Sequence, residues 1–287
     1  EGVSPFYQST TVTLACETTA AAIYYATGDT EPTAESTLYT APFELTQSAT
    51  VKAIAIEGEN KSTVATKSFV ALDGYSTLSE VVTLPNDALF AFTGNVVVVA
   101  SPTDRYTYVK DNTGVSLIYS ANKKFEVGKT IAPVWQGKIS IYNNLVELVP
   151  TTELSVLDAD SEEVTIAEAT AADIIATNMN KVVVLKGVTY TTPDEKKNFT
   201  ITQNEATVAG YNQFGITIDA PVDGKTYDIV GAISVYKENV QFQPISITEA
   251  VAAEPEAPVW RDIKADFTNG AIITSEETNV ISVGLSV

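Results

Sequence analysis

Histidine is absent from the 287-residue sequence, and cysteine and methionine occur once each. Without histidine the chain cannot build a Ser-His-Asp or Cys-His nucleophilic site, a histidine metal ligand or a histidine pH switch. One cysteine cannot form a disulfide within the chain or a cysteine-rich zinc site. No apolar run is long enough to cross a bilayer as a helix. We therefore expect a non-catalytic chain that carries no cofactor.

Basic residues are also scarce, since 17 Lys and Arg face 36 Asp and Glu, which leaves a net charge of −19. A field of that sign repels phosphate backbones and anionic membranes, so non-specific nucleic-acid binding by the whole chain is disfavoured. The first 50 residues contain no Lys or Arg, unlike the basic start of a signal peptide. Threonine-rich, cysteine-poor acidic β sequence is typical of bacterial surface proteins. We expect a secreted, cell-surface or periplasmic location, with the signal peptide already removed.

Short runs of alternating apolar and polar residues fill residues 9–72. In the first run Val12, Leu14 and Cys16 fall on one face of a predicted strand. Further runs follow, separated by turn clusters, and this many short strands in so short a stretch favours a small antiparallel sandwich. The pattern predicts Cys16 as a small buried core residue, because free cysteine is commonly buried.

The same stretch resembles a known family. The residues that match its pattern are Thr11 to Leu14, Ala22 to Thr33, Ser36 to Tyr39 and Val51 to Ala55. They resemble the fibronectin-like module at the C-terminal end of chitobiases and β-hexosaminidases, and the resemblance covers residues 5–72. Gly28-Asp29 stands where that family usually has an Asp-Gly turn. The resemblance implies an accessory β-sandwich without catalytic residues.

An internal repeat fills the middle of the chain, because residues 137–150 align without a gap with residues 231–244. Matching pairs include Ile139/Ile233, Ser140/Ser234, Tyr142/Tyr236 and Val146/Val240. Each copy offers about five strands, and in the first copy they are predicted at residues 91–101, 105–111, 115–120, 130–142 and 145–150. Asn143-Asn144 predicts a tight hairpin between the last two strands, since asparagine tolerates positive φ.

The run YVKDNTGV at residues 108–115 resembles the strand 2–turn–strand 3 signature of OB-fold domains in secreted bacterial proteins. Five short strands with a long first strand suit such a Greek-key barrel. We therefore predict an all-β chain, with one small Ig- or fibronectin-like sandwich followed by two tandem five-stranded OB-like Greek-key barrels. The predicted domains are residues 1–74, 75–156 and 157–250, and residues 251–287 are a linker with a partial β segment or the start of a further domain.

Aromatic and basic residues are interleaved only in the first repeat, and they make up the candidate ligand site. The candidate residues are Tyr106, Tyr108, Lys110, Tyr119 and Trp135. Tyr106, Tyr108 and Lys110 alternate along one strand and so share a face, whereas the apolar Val109 predicts the barrel interior on the other side.

On an OB barrel this outer face is the usual ligand platform, where exposed rings stack on bases or sugars. We expect Lys110 to assist an anionic ligand. Tyr108→Ala is expected to weaken binding and to leave thermal stability nearly unchanged, because an exposed ring is not part of a core. Ordinary barrel packing, or a contact with another domain, is the alternative use of these rings.

Two weaker candidates concern carboxylates. Asp158, Asp160 and Glu162 have alternating oxygen donors of the kind that Ca²⁺ binds, but a solvated acidic linker explains the same run. A carboxylate pair for glycoside hydrolysis is left open by 36 acidic residues, although nothing in the sequence marks one pair above the rest.

The sequence thus favours a non-catalytic part of a secreted or cell-surface bacterial protein, acting as a spacer and glycan-binding accessory. The alternative is binding of single-stranded nucleic acid by the first barrel. The predicted partners are a glycan or oligonucleotide ligand and other domains of a longer chain, and the oligomeric state is left open.

Overall fold

Seven short strands form the first two sheets, as the alternating pattern predicts. The computed structural model describes residues 1–158 and 161–250. The strands of this part are β1 (Thr10–Val12), β2 (Ala22–Thr27), β3 (Thr37–Leu38), β4 (Phe43–Leu45), β5 (Ala49–Glu57), β6 (Asn60–Lys61) and β7 (Ala65–Phe69). One sheet pairs β1 with β4, and the other has the order β3-β2-β5-β6 with β7 also on β5. Phe6, Val12, Val51 and Phe69 fill the core of this sandwich.

Cys16 does not belong to that core. The structure places its thiol in the exposed surface, so the prediction of a buried cysteine is wrong. The physical reason is that β1 ends at Val12, which is buried, and the alternation of faces does not continue through Cys16.

The next sheet contains the first barrel. Its elements are β8 (Gly74–Tyr75), a helix α1 (Leu78–Val81), β9 (Leu89–Phe92), β10 (Val96–Ala100), β11 (Tyr106–Lys110), β12 (Val115–Tyr119), β13 (Thr130–Ile131), β14 (Trp135–Tyr142) and β15 (Leu145–Pro150). The strand order is β13-β10-β11-β12-β15-β14-β9-β8, with β12 and β15 parallel. β9 and β10 are the two halves of one bent strand, separated by residues 93–95, so the sheet closes on itself. We call β9–β15 barrel 1.

A capped turn joins β11 to β12, where the sequence predicts one. The carboxylate of Asp111 accepts hydrogen bonds from the backbone N–H groups of Thr113 at 2.7 Å and Gly114 at 2.9 Å. It also accepts one from the N–H of Leu78 at 2.7 Å, which is the first residue of α1. Asp111 therefore ties the turn to the helix that precedes the barrel.

The last described sheet contains the second barrel. Its strands are β16 (Ala167–Ala169), β17 (Val182–Tyr190), β18 (Asn198–Gln203), β19 (Ala206–Tyr211), β20 (Tyr227–Tyr236) and β21 (Asn239–Glu249), with two 3₁₀ helices at Ala171–Asp173 and Ala176–Asn178. The order is β16-β17-β18-β19-β21-β20, and β17 also pairs with β20, which closes the ring. We call β17–β21 barrel 2.

Both barrels have the same ring order, in which the fifth strand lies between the third and the fourth, as in an OB-like barrel. The fourth and fifth strands pair Gly137 with Pro150 in barrel 1 and Gly231 with Pro244 in barrel 2. The predicted all-β class with a sandwich and two barrels is confirmed. The prediction of a linker and partial β segment at residues 251–287 lies outside the described residues.

Candidate functional site: the contact between the barrels and its aromatic rim

The face assignment on β11 is confirmed. Val109 lies in the core of barrel 1, among residues such as Val98, Ile118 and Leu148. Tyr106 and Tyr108 leave the sheet on the opposite side and belong to a separate apolar cluster. The alternation along the strand therefore separates the barrel interior from its outer face, as the sequence predicts.

The expected exposure of this outer face is wrong, because barrel 2 covers it. Tyr108 is only 2% exposed. It packs in a cluster with Leu117 and Leu145 of barrel 1 and with Val182 and Ala232 of barrel 2. The residue that we expected to stack on a ligand is instead buried between the two barrels. We call this cluster the barrel contact.

A loop of barrel 2 between β19 and β20 lies on the tyrosines. The ring of Phe214 meets Tyr106 edge-on, with ring centroids 5.3 Å apart, and Tyr108 in the same manner at 6.4 Å. Nε2 of Gln213 donates a hydrogen bond to the hydroxyl of Tyr106 at 2.9 Å. The side chain of Asn212 donates a hydrogen bond to the carbonyl of Ile216 and accepts one from the N–H of Ile216, and these two bonds stabilise the loop. A phenyl ring of the same chain thus contacts the rings that we expected to contact a ligand.

Tyr119 and Tyr106 are half-buried neighbours on the same platform, with ring centroids 5.2 Å apart. The guanidinium of Arg105 donates a hydrogen bond to the hydroxyl of Tyr119 and lies 5.0 Å from the centre of its ring. Burial raises the pKa of Tyr106 to about 12, with a further contribution from Tyr119. Burial also raises the pKa of Tyr108. Both phenols therefore stay protonated at neutral pH.

The remaining two candidates lie elsewhere. Nζ of Lys110 forms an ion pair with Glu162 at 2.7 Å, so its charge is already paired with a carboxylate of the same chain. Trp135 is not on the platform, and its expected exposure is wrong. Its indole lies in the core of barrel 1 against Phe90 and Phe92, with ring centroids 5.4 and 5.5 Å away. Trp135 begins β14 with the same parity as Ile139, which also points into the barrel.

The calcium candidates are not brought together in the described part of the chain. Asp160 lies outside the described residues, Asp158 is exposed, and Glu162 is paired with Lys110. Within residues 1–158 and 161–250, no three His, Cys, Asp or Glu side chains are grouped so as to hold a metal ion.

One buried carboxylate lies near the barrel contact. Glu147 on β15 is 5% exposed and pairs with Ser140, whose hydroxyl donates a hydrogen bond to it at 3.1 Å. Burial raises the pKa of Glu147, although the hydrogen bond from Ser140 and the charge of Arg105 oppose the change. Gln241 and Ser234 form the corresponding pair between the last two strands of barrel 2.

The tips of two β-hairpins meet at the edge of the barrel contact. The N–H of Lys237 donates to the carbonyl of Asn143 at 2.8 Å, and Nδ2 of Asn144 donates to the carbonyl of Lys237 at 2.7 Å. Beside them the rings of Tyr142 and Tyr236 lie 6.5 Å apart at an angle of 53°. We call these five residues the hairpin junction.

None of the ligand residues predicted from the sequence lies in this junction. The available signal was the repeat, since Tyr142 and Tyr236 are an aligned pair at the ends of equivalent strands. Both rings are exposed, and they are the aromatic rim of the barrel contact. The two side chains come together only because the barrels are docked.

A separate open groove of about 500 Å³ lies between the end of β12 and the residues after β15. Its lining includes Ser120, Lys123, Thr151 and Glu153. These groups offer hydrogen bonds and charge, but the lining contains no aromatic ring on which a sugar or base could stack.

No helix in residues 1–158 or 161–250 has the length and apolar character needed to span a membrane.

Known proteins are similar to parts of this chain. A family model described as "Fn3 associated" matches residues 12–69, which lie in the sandwich. No curated protein matches the chain. The crystal structure of the p204 HINb domain is 10% identical with a TM-score of 0.29, covering 55% of this chain and 95% of that one. The structure of a murine DNA binding protein bound with double-stranded DNA is 15% identical with a TM-score of 0.27, covering 60% of this chain and 100% of that one. The family match fits the fibronectin-like, chitobiase-type character of the sandwich.

Proposed function

We propose that the chain is a non-catalytic accessory unit of a longer secreted or cell-surface protein. In this proposal the two barrels act as one rigid spacer, and the unit also carries a glycan-binding surface. The observation that supports the spacer role is the burial of Tyr108 between the barrels. The face that an isolated OB-like barrel would use for a ligand is used here to hold a second barrel.

The composition of the barrel contact supports a fixed orientation. Contacts between domains of one chain are usually polar and permit relative motion, unless they are apolar and well packed. Here Leu117 and Tyr108 of barrel 1 pack on Val182 and Ala232 of barrel 2. Gln213 adds a hydrogen bond to the hydroxyl of Tyr106. Nδ2 of the buried Asn180 donates a further hydrogen bond across the contact, to a carbonyl on β15. Separating the barrels would expose this apolar surface and leave buried polar groups without partners.

The family match supports the accessory role. The module that residues 5–72 resemble is an accessory sandwich without catalytic residues, and the Fn3-associated model matches residues 12–69. The absence of histidine removes the commonest general base from the whole chain. Glu147, whose raised pKa would suit a general acid, is buried beside Tyr106 and Tyr108 rather than in a cleft.

Oligonucleotide binding by barrel 1 is the alternative function. It relies on stacking by Tyr106 and Tyr108 and on the charge of Lys110. In the docked barrels these rings contact Phe214, and Lys110 is paired with Glu162. The alternative therefore requires either that the barrels separate or that another face binds the nucleic acid.

One titration series distinguishes the two functions in the full chain. Binding of neutral hexasaccharides and of a 15-nucleotide poly-dT strand is measured at 50 mM and 200 mM salt. The proposal predicts glycan binding that barely changes with salt, because no counterions are released. Binding of the DNA strand that falls steeply over the same salt range would support the alternative. If neither probe binds, the chain retains only the spacer role.

A further inference from the structure

We infer that the hairpin junction is a binding site for an uncharged carbohydrate, with Tyr142 and Tyr236 as its stacking surface. This inference rests on the proposed glycan-binding role and assigns that role to particular residues. Tyr142 is 59% exposed and Tyr236 is 43% exposed, and the centroids of their rings lie 6.5 Å apart. Large apolar side chains clustered in solvent are unfavourable unless they serve a contact, so the cluster indicates a binding surface.

The geometry of the two rings suits a ligand with flat apolar faces and a polar edge. The rings are tilted by 53° with centroids 6.5 Å apart, so they present two adjoining planes rather than one stacked pair. A tyrosine offers an apolar face for the C–H groups of a sugar ring and a hydroxyl for its polar rim. Two such rings side by side could contact two neighbouring units of an oligosaccharide.

The junction is also held in place before any ligand binds. Two hydrogen bonds join Lys237 to Asn143 and Asn144, and a third links Asn180 to the carbonyl of Val146 on the adjacent strand. The rings are therefore carried by rigid strand ends from both barrels. A surface that is already ordered loses little conformational entropy on binding.

The surrounding polar groups favour an uncharged ligand. Exposed amide side chains are present at Asn86, Asn144 and Asn239, and such groups can donate to and accept from sugar hydroxyls. Asn86 and Asn144 already form hydrogen bonds within the chain, so each offers a ligand only the remaining capacity of its amide. Nζ of Lys237 lies over the Tyr236 ring, 5.5 Å from its centre, so a sugar would stack on the opposite face of that ring. The charges of Lys237 and of its neighbour Glu238 are of opposite sign, so the junction has no excess of positive charge. With a net charge of −19 on the chain, a phosphate-rich ligand would be repelled rather than attracted.

The test measures binding of the full chain to chitohexaose, cellohexaose and xylohexaose by calorimetry, with poly-dT as the anionic comparison. Tyr142→Ala and Tyr236→Ala are each expected to weaken binding of the recognised hexasaccharide about five- to a hundred-fold. Tyr142→Phe keeps the ring and is expected to retain most of the affinity. Tyr211→Ala is the matched control, because Tyr211 is a half-buried tyrosine on the outer part of barrel 2 and outside the junction. Thermal unfolding of each variant checks that the loss does not come from unfolding.

Each outcome has a defined meaning. Weakening by both junction variants, with binding retained in Tyr142→Phe and Tyr211→Ala, supports the inference. Binding that survives both junction variants would overturn it and leave the proposed glycan-binding role intact. A wild-type chain that binds none of the three hexasaccharides would contradict the role and the inference together. Loss of poly-dT binding alone in the junction variants would assign the surface to nucleic acid instead.

Discussion

Nε2 of Gln213 donates a hydrogen bond to the hydroxyl of Tyr106 at 2.9 Å, across 107 positions of the chain. The donor belongs to a loop of barrel 2 and the acceptor to β11 of barrel 1. Phe214, the next residue of that loop, packs its ring edge-on against both Tyr106 and Tyr108. The second barrel thus covers the face of the first barrel on which we expected a ligand.

Tyr108→Ala is expected to destabilise the chain strongly, in contrast to the prediction from sequence. The ring is buried in the barrel contact, so its removal loses apolar burial and leaves a cavity. Truncation of a large buried ring costs about 3–5 kcal/mol, and we expect a decrease of that order in the free energy of unfolding. Urea denaturation followed by circular dichroism measures it.

Lys110→Ala is the control for that experiment, because Lys110 lies on the same strand but its charge is partly solvated in the pair with Glu162. Partly exposed ion pairs contribute about 0–1 kcal/mol, so this change should be small. A Tyr108→Ala variant as stable as Lys110→Ala would show that the ring is not part of a packed contact.

The sequence was sufficient to predict the fold class and the face of each side chain on β11. Alternation and turn residues are local signals, and they correctly separated Val109 from Tyr108. The outer face is covered by a loop that lies more than 100 positions along the chain from Tyr106. No local sequence pattern around Tyr108 indicates that this loop packs there. The exposure of Tyr108 could therefore not be inferred from its position on the outer face of the strand.

Three other residues, Trp135, Tyr142 and Tyr236, have positions that the sequence pattern partly indicates. Trp135 shares its parity with Gly137 and Ile139, which predicts the barrel interior where the indole is found. The aligned tyrosines at the hairpin ends, Tyr142 and Tyr236, marked a repeated exposed position. Their proximity could not be predicted, because it depends on how the two barrels dock.

Glu147→Gln is expected to raise the free energy of unfolding at pH 7. Burial raises the pKa of Glu147 above its usual value of 4.5, against the smaller effects of Ser140 and Arg105. The folded state therefore binds the proton more tightly than the unfolded state does. The stability that this provides is complete below pH 4.5 and is lost as the pH rises through the folded pKa. Glutamine removes the buried charge and already occupies the equivalent position, Gln241, opposite Ser234.

Urea denaturation between pH 4 and pH 8 tests this prediction. The stability difference between Glu147→Gln and the wild-type chain should be largest at the highest pH and should shrink as the pH approaches 4. Glu153→Gln, at an exposed position after β15, is the control and should change little. A Glu147→Gln variant that is less stable than the wild-type chain at pH 8 would contradict the account of this carboxylate.

Asp111→Asn is expected to have the opposite pH dependence. Burial acts to raise the pKa of Asp111, but hydrogen bonds from Leu78, Thr113 and Gly114 outweigh it and lower the pKa below 3.8. The stability from this carboxylate is present above pH 3.8 and is lost as the pH falls through the folded pKa. Because the turn is partly solvated, we expect the variant to lose about 1 kcal/mol at pH 7 and less at pH 3.

The same denaturation series measures this effect, with Asp104→Asn as an exposed comparison. A loss that is the same at pH 3 and pH 7 would mean that the charge of Asp111 does not contribute to the turn.

Residual dipolar couplings of backbone amides in the full chain test the central claim, which is that the two barrels form one rigid unit. Couplings are measured for residues 89–150 of barrel 1 and residues 182–249 of barrel 2, and an alignment tensor is fitted to each set. The account predicts a single tensor, equal in orientation and amplitude for both barrels, because Tyr108 is buried between them. Two tensors of different amplitude would contradict it, because they would show that the barrels reorient independently and that the tyrosine face of barrel 1 is open to a ligand.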